Sequence, residues 1–264
     1  MRVGAYFRSK NQKVWGIIRT PERKRELEQL GITPLVTDLA ESNPFNQIPL
    51  SFIDFVIISL SPEKRDAENY KRVYLEGVRN LLTFVESKFH PKFVLYLSST
   101  GVYRDYEGKW IDEKTPPEPD SEREKILLEA ESQVLNSAFP SAILRLGGIY
   151  GPERNRIKKV QERLTSVEPD KYLNLIHVDD IVRTVPLLLS SAEVGQVYLG
   201  VDDEPVPKSE LYSWLRLKLG IPVEEQAETR AQLIGGKRCR NTRLKNLGFT
   251  FQYPTFREGY ESLF

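Results

Sequence analysis

Hydrophobic residues occur in short uninterrupted runs along the first 150 positions and do not alternate with polar ones. The runs are Val14–Ile18, Thr33–Thr37, Phe55–Leu60, Phe93–Leu97 and Ala142–Leu146. Strands that are covered on both faces have this pattern. Stretches with helical spacing lie between the runs, and the clearest has apolar or small residues at Tyr70, Val73, Tyr74, Gly77, Val78, Leu81, Leu82 and Val85. Strands alternating with helices predict an α/β fold with a doubly wound parallel sheet of the Rossmann type.

The pattern changes after Gly151, where irregular pieces replace the regular alternation. Helical spacing returns at Ile181–Leu189 and at Lys208–Leu219, with a short strand-like run at Gln196–Gly200 between them. We therefore expect two parts, a sheet-bearing domain at 1–150 and a small C-terminal lobe at 151–264 that is partly integrated with the sheet.

Charge and cysteine content narrow the class of protein. The 264 residues contain 38 Lys+Arg and 37 Asp+Glu, a net charge of +1, which gives no reason to expect a nucleic acid or a membrane as partner. One cysteine and two histidines argue against a disulfide framework and a His/Cys metal cluster. No apolar run approaches the ~20 residues of a membrane helix, and the first residues are too polar for a secretory signal. The expectation is a cytoplasmic protein that acts on a small molecule.

In open parallel sheets, ligands bind at the carboxyl ends of the strands. The residues at the predicted strand ends are therefore the first candidates for a site. They are Arg19, Asp38, Ser59, Ser98–Thr100 and Gly147–Pro152.

Four motifs follow one another along these elements. Ser98–Tyr103 follows a strand, Asp112–Pro117 comes shortly after, Arg145–Pro152 ends the next strand, and His177–Asp180 opens a helix. In this order they resemble the extended branch of the short-chain dehydrogenase/reductase superfamily, the NAD(P)-dependent epimerase/dehydratase family. The tail Lys237–Leu244 resembles that of its compact, atypical members.

The resemblance implies a dinucleotide-binding domain at 1–150 and a substrate lobe at 151–264. Members move a hydride between the nicotinamide and a carbon of a small metabolite. Their base is a tyrosine four residues before a lysine, and the matching positions here are Ser121 and Lys125. A serine hydroxyl has no accessible pKa and cannot serve as that base unaided. The catalytic candidates are Ser99, where the family places the hydroxyl that bonds the reacting oxygen, and Lys125.

The resemblance also implies a set of cofactor-binding residues. The candidates are Arg19, Asp38, Ser59, Lys125 and Gly147. Arginine at position 19, where NAD enzymes carry an acid, makes NADP the expected cofactor rather than NAD. Structural roles remain open, since Arg19 lies in a basic run, Asp38 suits a strand-end turn and Ser99 can bond backbone groups. For His177–Asp180 a packed histidine and an aspartate that caps the following helix are expected.

The family opens with a strand and a Gly-x-x-Gly-x-x-Gly loop, and this chain has neither. Val3–Asn11 resembles the later part of the first helix and Val14–Ile18 the second strand. The first strand is central, and losing about five buried side chains at roughly 1.5–3 kcal/mol each would remove on the order of 10 kcal/mol. We expect an N-terminally incomplete domain, either because translation starts further upstream or because the chain is a remnant.

Three functions stay open on these grounds. The first is an NAD(P)-dependent oxidoreductase or epimerase-like protein. The second is a non-catalytic dinucleotide-binding sensor or partner-binding module, and the third is a truncated, inactive product.

Overall fold

The computed structural model of the protein describes residues 1–41, 45, 52–64, 66–161, 170–222 and 235–264. Contacts divide the chain into two compact units that interleave in sequence. The first unit comprises Met1–Ser98, Asp120–Leu144 and Val182–Val197, and the second comprises Ser99–Pro119, Arg145–Ile181 and Tyr198–Phe264. These units do not follow the expected division into 1–150 and 151–264, which stays a prediction about domains.

Helices and short strands alternate as the hydrophobic pattern predicts. The helices are α1 Arg2–Ser9, α2 Lys24–Gln29, α3 Ala67–Tyr70, α4 Gly77–Lys88, α5 Glu122–Leu135, α6 Ile157–Gln161, α7 Val178–Ser191, α8 Lys208–Lys218, α9 Thr242–Asn246 and α10 Phe256–Glu261. The strands are β1 Trp15–Ile18, β2 Thr33–Val36, β3 Phe55–Ile58, β4 Phe93–Ser99, β5 Trp110–Ile111, β6 Ser141–Leu146, β7 Gly148–Tyr150, β8 Tyr172–Leu173, β9 Leu175–His177, β10 Val197–Gly200, β11 Val206–Pro207 and β12 Arg238–Cys239. A π-helical stretch, Lys71–Glu76, joins α3 to α4.

The main sheet has the strand order β10-β6-β4-β3, and a separate pair is formed by β1 and β2. β3 and β4 run parallel with Phe55 opposite Phe93, and β1 and β2 run parallel with Trp15 opposite Thr33. All six residues of β6 and five of the seven in β4 are buried. The predicted α/β fold with a parallel sheet covered on both faces is confirmed.

The core of the first unit forms where α4 and α5 cover the sheet. The predicted helical stripe is buried, as the exposures of Val73, Val78, Leu81 and Val85 show. This stripe packs with β3, β4 and α5 in one apolar cluster that includes Ile58, Tyr96, Ile126, Ala130 and Ile143. Spacing every three or four residues thus placed one face of the helix in the core.

β1 and β3 are edge strands in the described part of the chain. Their carboxyl ends are neighbours, because Arg19 after β1 donates to the carbonyl of Ser61 after β3 at 3.4 Å. Ile17 in β1 is 36% exposed and Phe55 in β3 is 41% exposed, unlike the buried residues of β4 and β6. This is the arrangement expected of a sheet whose central strand is not supplied by the described residues.

The second unit has its own apolar core around three short strand pairs. The pairs are β7 with β9, β8 with β11 and β5 with β12. Side chains of the first two pairs pack with α8 and α10 in a cluster that includes Tyr150, Leu175, Leu211, Phe256 and Tyr260. No helix of the described ranges is long and apolar enough to cross a membrane.

One helix begins earlier than predicted, and its aspartates act differently. α7 starts at Val178, three residues before the predicted Ile181. The carboxylate of Asp180 is fully buried and accepts backbone N–H groups from the tail, from Gln252 at 2.8 Å and Tyr253 at 3.0 Å. These two bonds join the helix to a distant segment of the unit, and the capping of the helix by Asp179 or Asp180 stays a prediction.

Candidate functional site

A cavity of about 330 Å³ lies within the second unit. Its walls come from the carboxyl end of β4, the glycines that follow β6, the β8–β9 connection and the tail. Ser99, Thr100, Gly147, Gly148 and Asn174 are among its lining residues. The cavity thus brings together two sequence candidates, Ser99 and Gly147, that are far apart along the chain.

The two adjacent serines at the end of β4 have different surroundings. In the first unit the hydroxyl of Ser98 donates to the carboxylate of Glu131 at 2.6 Å, and both side chains are buried. In the second unit Ser99 lines the cavity, where its hydroxyl oxygen accepts the backbone N–H of Gly101 at 3.0 Å. That bond leaves the hydroxyl hydrogen of Ser99 able to donate to a ligand oxygen.

The glycines after β6 allow two backbone segments to approach closely. A Cβ on Gly147 would lie 2.5 Å from the carbonyl oxygen of Asn174, and the N–H of Gly148 donates to that oxygen at 2.7 Å. A larger residue at position 147 would push the Asn174 backbone away from the cavity. This packing explains the glycine structurally, and the role of Gly147 in cofactor binding stays a prediction.

Asn174 also holds the tail of the second unit. Its amide nitrogen donates to the carbonyl of Lys237 at 2.9 Å, and its amide oxygen accepts the N–H of Cys239 at 2.7 Å. Lys237 is a lining residue of the cavity, and its ammonium donates to the carbonyl of Tyr103 at 2.7 Å. Asn174 therefore holds the backbone on both sides of Arg238, including the backbone of Lys237.

Three basic side chains line the cavity, and sequence reasoning missed all of them as site residues. They are Arg156 before α6, Lys171 before β8 and Lys237 before β12. Arg156 donates to the hydroxyl of Tyr212 at 3.4 Å. The three positions are spread over more than eighty residues, so no local pattern groups them. The only signal was the basic composition of the tail.

Three predicted cofactor residues lie at strand ends in the first unit. Arg19 follows β1, and its guanidinium lies 3.3 Å from the Glu63 carboxylate. Asp38 follows β2, where it accepts the N–H of Ala40 at 3.0 Å and pairs with Arg72. Ser59 follows β3 and is exposed. The contacts of Arg19 and Asp38 are those of structural residues, and their cofactor roles stay predictions.

Ser121 and Lys125 lie at the start of α5 in the first unit. Ser121 is the N-cap, since its hydroxyl accepts the N–H of Glu124 at 3.3 Å and its own N–H donates to the Glu124 carboxylate at 3.0 Å. This is a complete capping box. Lys125 follows one turn later and is exposed. The position that carries the family's tyrosine therefore has a structural task here.

The residues present fit only part of a dinucleotide. An arginine, an aspartate and a serine at the ends of β1, β2 and β3 suit the adenosine half. The pyrophosphate half requires backbone N–H donors at a helix N-terminus after a glycine-rich loop. The 264 residues contain no Gly-x-x-Gly-x-x-Gly sequence, and α1 begins with Arg2 and lacks a side-chain cap. The pyrophosphate half therefore does not fit the residues present.

Burial shifts the pKa values of several groups in the second unit. It raises the pKa of the Cys239 thiol to about 12, which makes this cysteine an inert core residue. Burial also holds the pKa of the Asp202 carboxyl well above its usual value, and the nearby carboxylates of Asp203 and Glu204 add to this. His177 is buried, with its ring 4.1 Å from that of Tyr253 and 5.2 Å from that of Tyr150. The predicted packed histidine is confirmed.

A parallel sheet with helices between its strands defines a Rossmann-type α/β protein. The sequence model of the NAD dependent epimerase/dehydratase family matches residues 2–199. The chain belongs to this family, and the predicted resemblance is confirmed.

Individual relatives agree with this assignment. Protein YeeZ of Escherichia coli K12 is 28% identical over 206 residues, which cover 76% of this chain and 72% of YeeZ. The structure of a putative NAD-dependent epimerase/dehydratase from Methylobacillus flagellatus is 28% identical, with a TM-score of 0.79 over 99% of this chain and 92% of that one. MoeE5, solved in complex with UDP-glucose and NAD, has a TM-score of 0.78 at 21% identity over 99% of this chain and 92% of its own, which shows the shared fold alone.

Proposed function

We propose that this protein is an NAD(P)-dependent oxidoreductase or epimerase-like protein that acts on a small metabolite without the family's usual tyrosine. The substrate site is the cavity of the second unit. The observation that carries the proposal is that Ser99 and Gly147, chosen from the family motifs, line the same cavity. Family membership over residues 2–199 supplies the reaction class.

Ser99 orients the substrate in this proposal. Its oxygen already accepts the Gly101 N–H, so its hydroxyl hydrogen is the group that can donate to a substrate carbonyl or hydroxyl oxygen. A fixed donor at the reacting oxygen stabilises charge that develops there. Serine does not remove a proton unaided, so the activity is expected to be slow or to use a group on the substrate itself.

The cofactor in this proposal is NADP rather than NAD. When bound, it supplies the hydride chemistry. Arg19 offers a planar donor for the 2′-phosphate, after exchanging its ion pair with Glu63. Lys125 is exposed one turn after Ser121 and is the group proposed to bond the nicotinamide ribose. The missing pyrophosphate loop predicts that this 264-residue chain binds either dinucleotide weakly.

A second candidate is a non-catalytic dinucleotide-binding sensor or partner-binding module. The capping box at Ser121 favours it, because this position stabilises the helix and supplies no base. This candidate differs from the first in predicting dinucleotide binding without turnover.

Two measurements separate the candidates. The first is calorimetric titration with NADPH and NADH. The second is a turnover assay with aldehydes and ketones at about 1 mM cofactor, which is the upper end of ordinary KM values. The proposal expects turnover that falls by about 10²-fold in Ser99→Ala, the usual loss for one donor at the reacting oxygen. Ser99→Thr should retain part of it. Ser190→Ala is the matched control, since that exposed hydroxyl donates to the Leu187 carbonyl in α7.

Binding without turnover would support the sensor. Weak binding is expected, so the contradicting result is no binding of either dinucleotide even at about 1 mM, which would speak against both candidates and support the inactive product.

A further inference from the structure

The cavity of the second unit is lined by more basic than acidic residues, whereas the two are nearly equal in the whole chain. Arg156, Lys171 and Lys237 line it, and none of its 13 described lining residues is acidic. The complete chain is almost neutral, with a net charge of +1. Among the described residues, the lining of this cavity is therefore cationic, whereas the chain as a whole is not.

Two of these cations donate hydrogen bonds to neutral acceptors of the described residues. Lys237 donates to the Tyr103 carbonyl, and Arg156 donates to the Tyr212 hydroxyl. Within the described ranges, Arg156 and Lys171 form no ion pair with a carboxylate. Other basic residues of the same unit do form one, such as Lys218 with Glu261 at 2.8 Å. The charges of Arg156 and Lys171 are therefore available to a ligand.

Polar residues that can bond the hydroxyl groups of a ligand also line this cavity. The Ser99 hydroxyl can donate to a ligand oxygen, and Thr100 and Asn174 are among the lining residues. The volume of about 330 Å³ is at the lower end of the roughly 300–1,000 Å³ of ligand pockets. Such a cavity accommodates a monosaccharide-sized molecule and is small for a nucleotide joined to a sugar.

We propose that this cavity selects a small polyhydroxylated metabolite that carries a carboxylate or a phosphate, and that Arg156, Lys171 and Lys237 recognise its anionic group. This rests on the proposed function, because it names the substrate class of the same site. A carboxylate and a phosphate ligand would share one anionic group on a body the size of a monosaccharide. The proposed ligand contains no nucleotide.

Calorimetric titration of the 264-residue protein with four probes tests the proposal. Glucose is the neutral body, glucuronate adds a carboxylate, glucose 6-phosphate adds a phosphate, and UDP-glucose adds a nucleotide. We expect glucuronate or glucose 6-phosphate to bind at least about tenfold more tightly than glucose, a difference of about 1.4 kcal/mol. The tighter of the two identifies the anionic group, and raising the salt concentration should weaken its binding.

Variants assign the binding to this cavity. Lys171→Gln and Arg156→Gln should each weaken the preferred anion about tenfold and leave glucose unchanged, while Arg156→Lys keeps most of the affinity. Lys218→Gln is the matched control, because its ammonium bonds Glu261 and it does not line the cavity. A thermal melt confirms that each variant is folded. If either Lys171→Gln or Arg156→Gln fails to fold, the other of these two variants carries the test.

Three results would overturn the proposal. They are equal binding of glucose and the anionic probes, UDP-glucose binding at least about tenfold more tightly than both small anions, and no millimolar binding of either small anion. The titrations contain no dinucleotide. A failure of turnover would therefore contradict the proposed function while leaving an anion preference intact.

Discussion

The buried carboxylate of Asp180 joins the start of α7 to the tail of the second unit. It is fully buried and accepts the N–H groups of Gln252 and Tyr253 at 2.8 and 3.0 Å. Hydrogen bonds to charged groups contribute roughly 1.5–3 kcal/mol each, and removing the carboxylate takes this acceptor away from both N–H groups. We expect Asp180→Ala to lower the free energy of unfolding by about 3–6 kcal/mol, a large part of the roughly 5–15 kcal/mol of an ordinary domain.

Urea unfolding at 25 °C, followed by tryptophan fluorescence and circular dichroism, measures this loss. If the unfolding free energy falls by about 3 kcal/mol per molar urea, the urea concentration at the unfolding midpoint should fall by about 1–2 M. Asp180→Asn keeps one acceptor oxygen and should lose about half as much. Asp179→Ala removes the neighbouring carboxylate, whose side chain is 40% exposed, and should change stability far less. An Asp180→Ala midpoint equal to that of Asp179→Ala would refute the reasoning.

Three further changes have defined outcomes. Asp202→Asn should remove a pH dependence of stability, because the pKa of Asp202 in the folded protein lies above its usual 3.8. The native protein should therefore lose stability relative to this variant as the pH rises above about 4. Equal changes of the two urea midpoints up to about pH 8 would contradict this. Gly259→Ala should lower the free energy of unfolding by about 1–3 kcal/mol, because the new Cβ would lie 1.9 Å from the Tyr150 hydroxyl. Adding Tyr150→Phe to this variant should restore part of the lost stability in thermal melts. If Tyr150→Phe restores nothing, the hydroxyl is not the source of the strain. Ser121→Ala should lower the melting temperature by about 2–4 °C, because α5 loses its N-cap. Ser121→Asp keeps a capping side chain and should melt at a higher temperature than Ser121→Ala. Equal melting temperatures of the two variants would show that the cap does not stabilise the helix.

The sequence alone was enough to predict the elements of the first unit. Uninterrupted apolar runs became β4 and β6, because a strand covered on both faces needs apolar residues at every position. The stripe that includes Val78, Leu81 and Val85 became the buried face of α4, because helical spacing places these residues on one side. The capping box of α5 is equally local, since Ser121 and Glu124 are only three residues apart.

Part of the site was also predictable, since residues at strand ends meet at one edge of a parallel sheet. Ser99 and Gly147 were strand-end candidates that also lie in the family motifs, and both line the cavity. The role of Ser98 was not predictable, because its partner Glu131 lies 33 residues further along the chain.

Only the tertiary structure decided what surrounds the cavity. Arg156, Lys171 and Lys237 carry no shared motif and line one cavity. Lys237 lies there because Asn174 holds the tail beside β8 and β9. Asp180 likewise binds residues 72 and 73 positions away, a pairing that helical spacing cannot indicate. Local periodicity determines which face of an element is buried, whereas charges and hydrogen bonds between distant segments depend on how the elements pack.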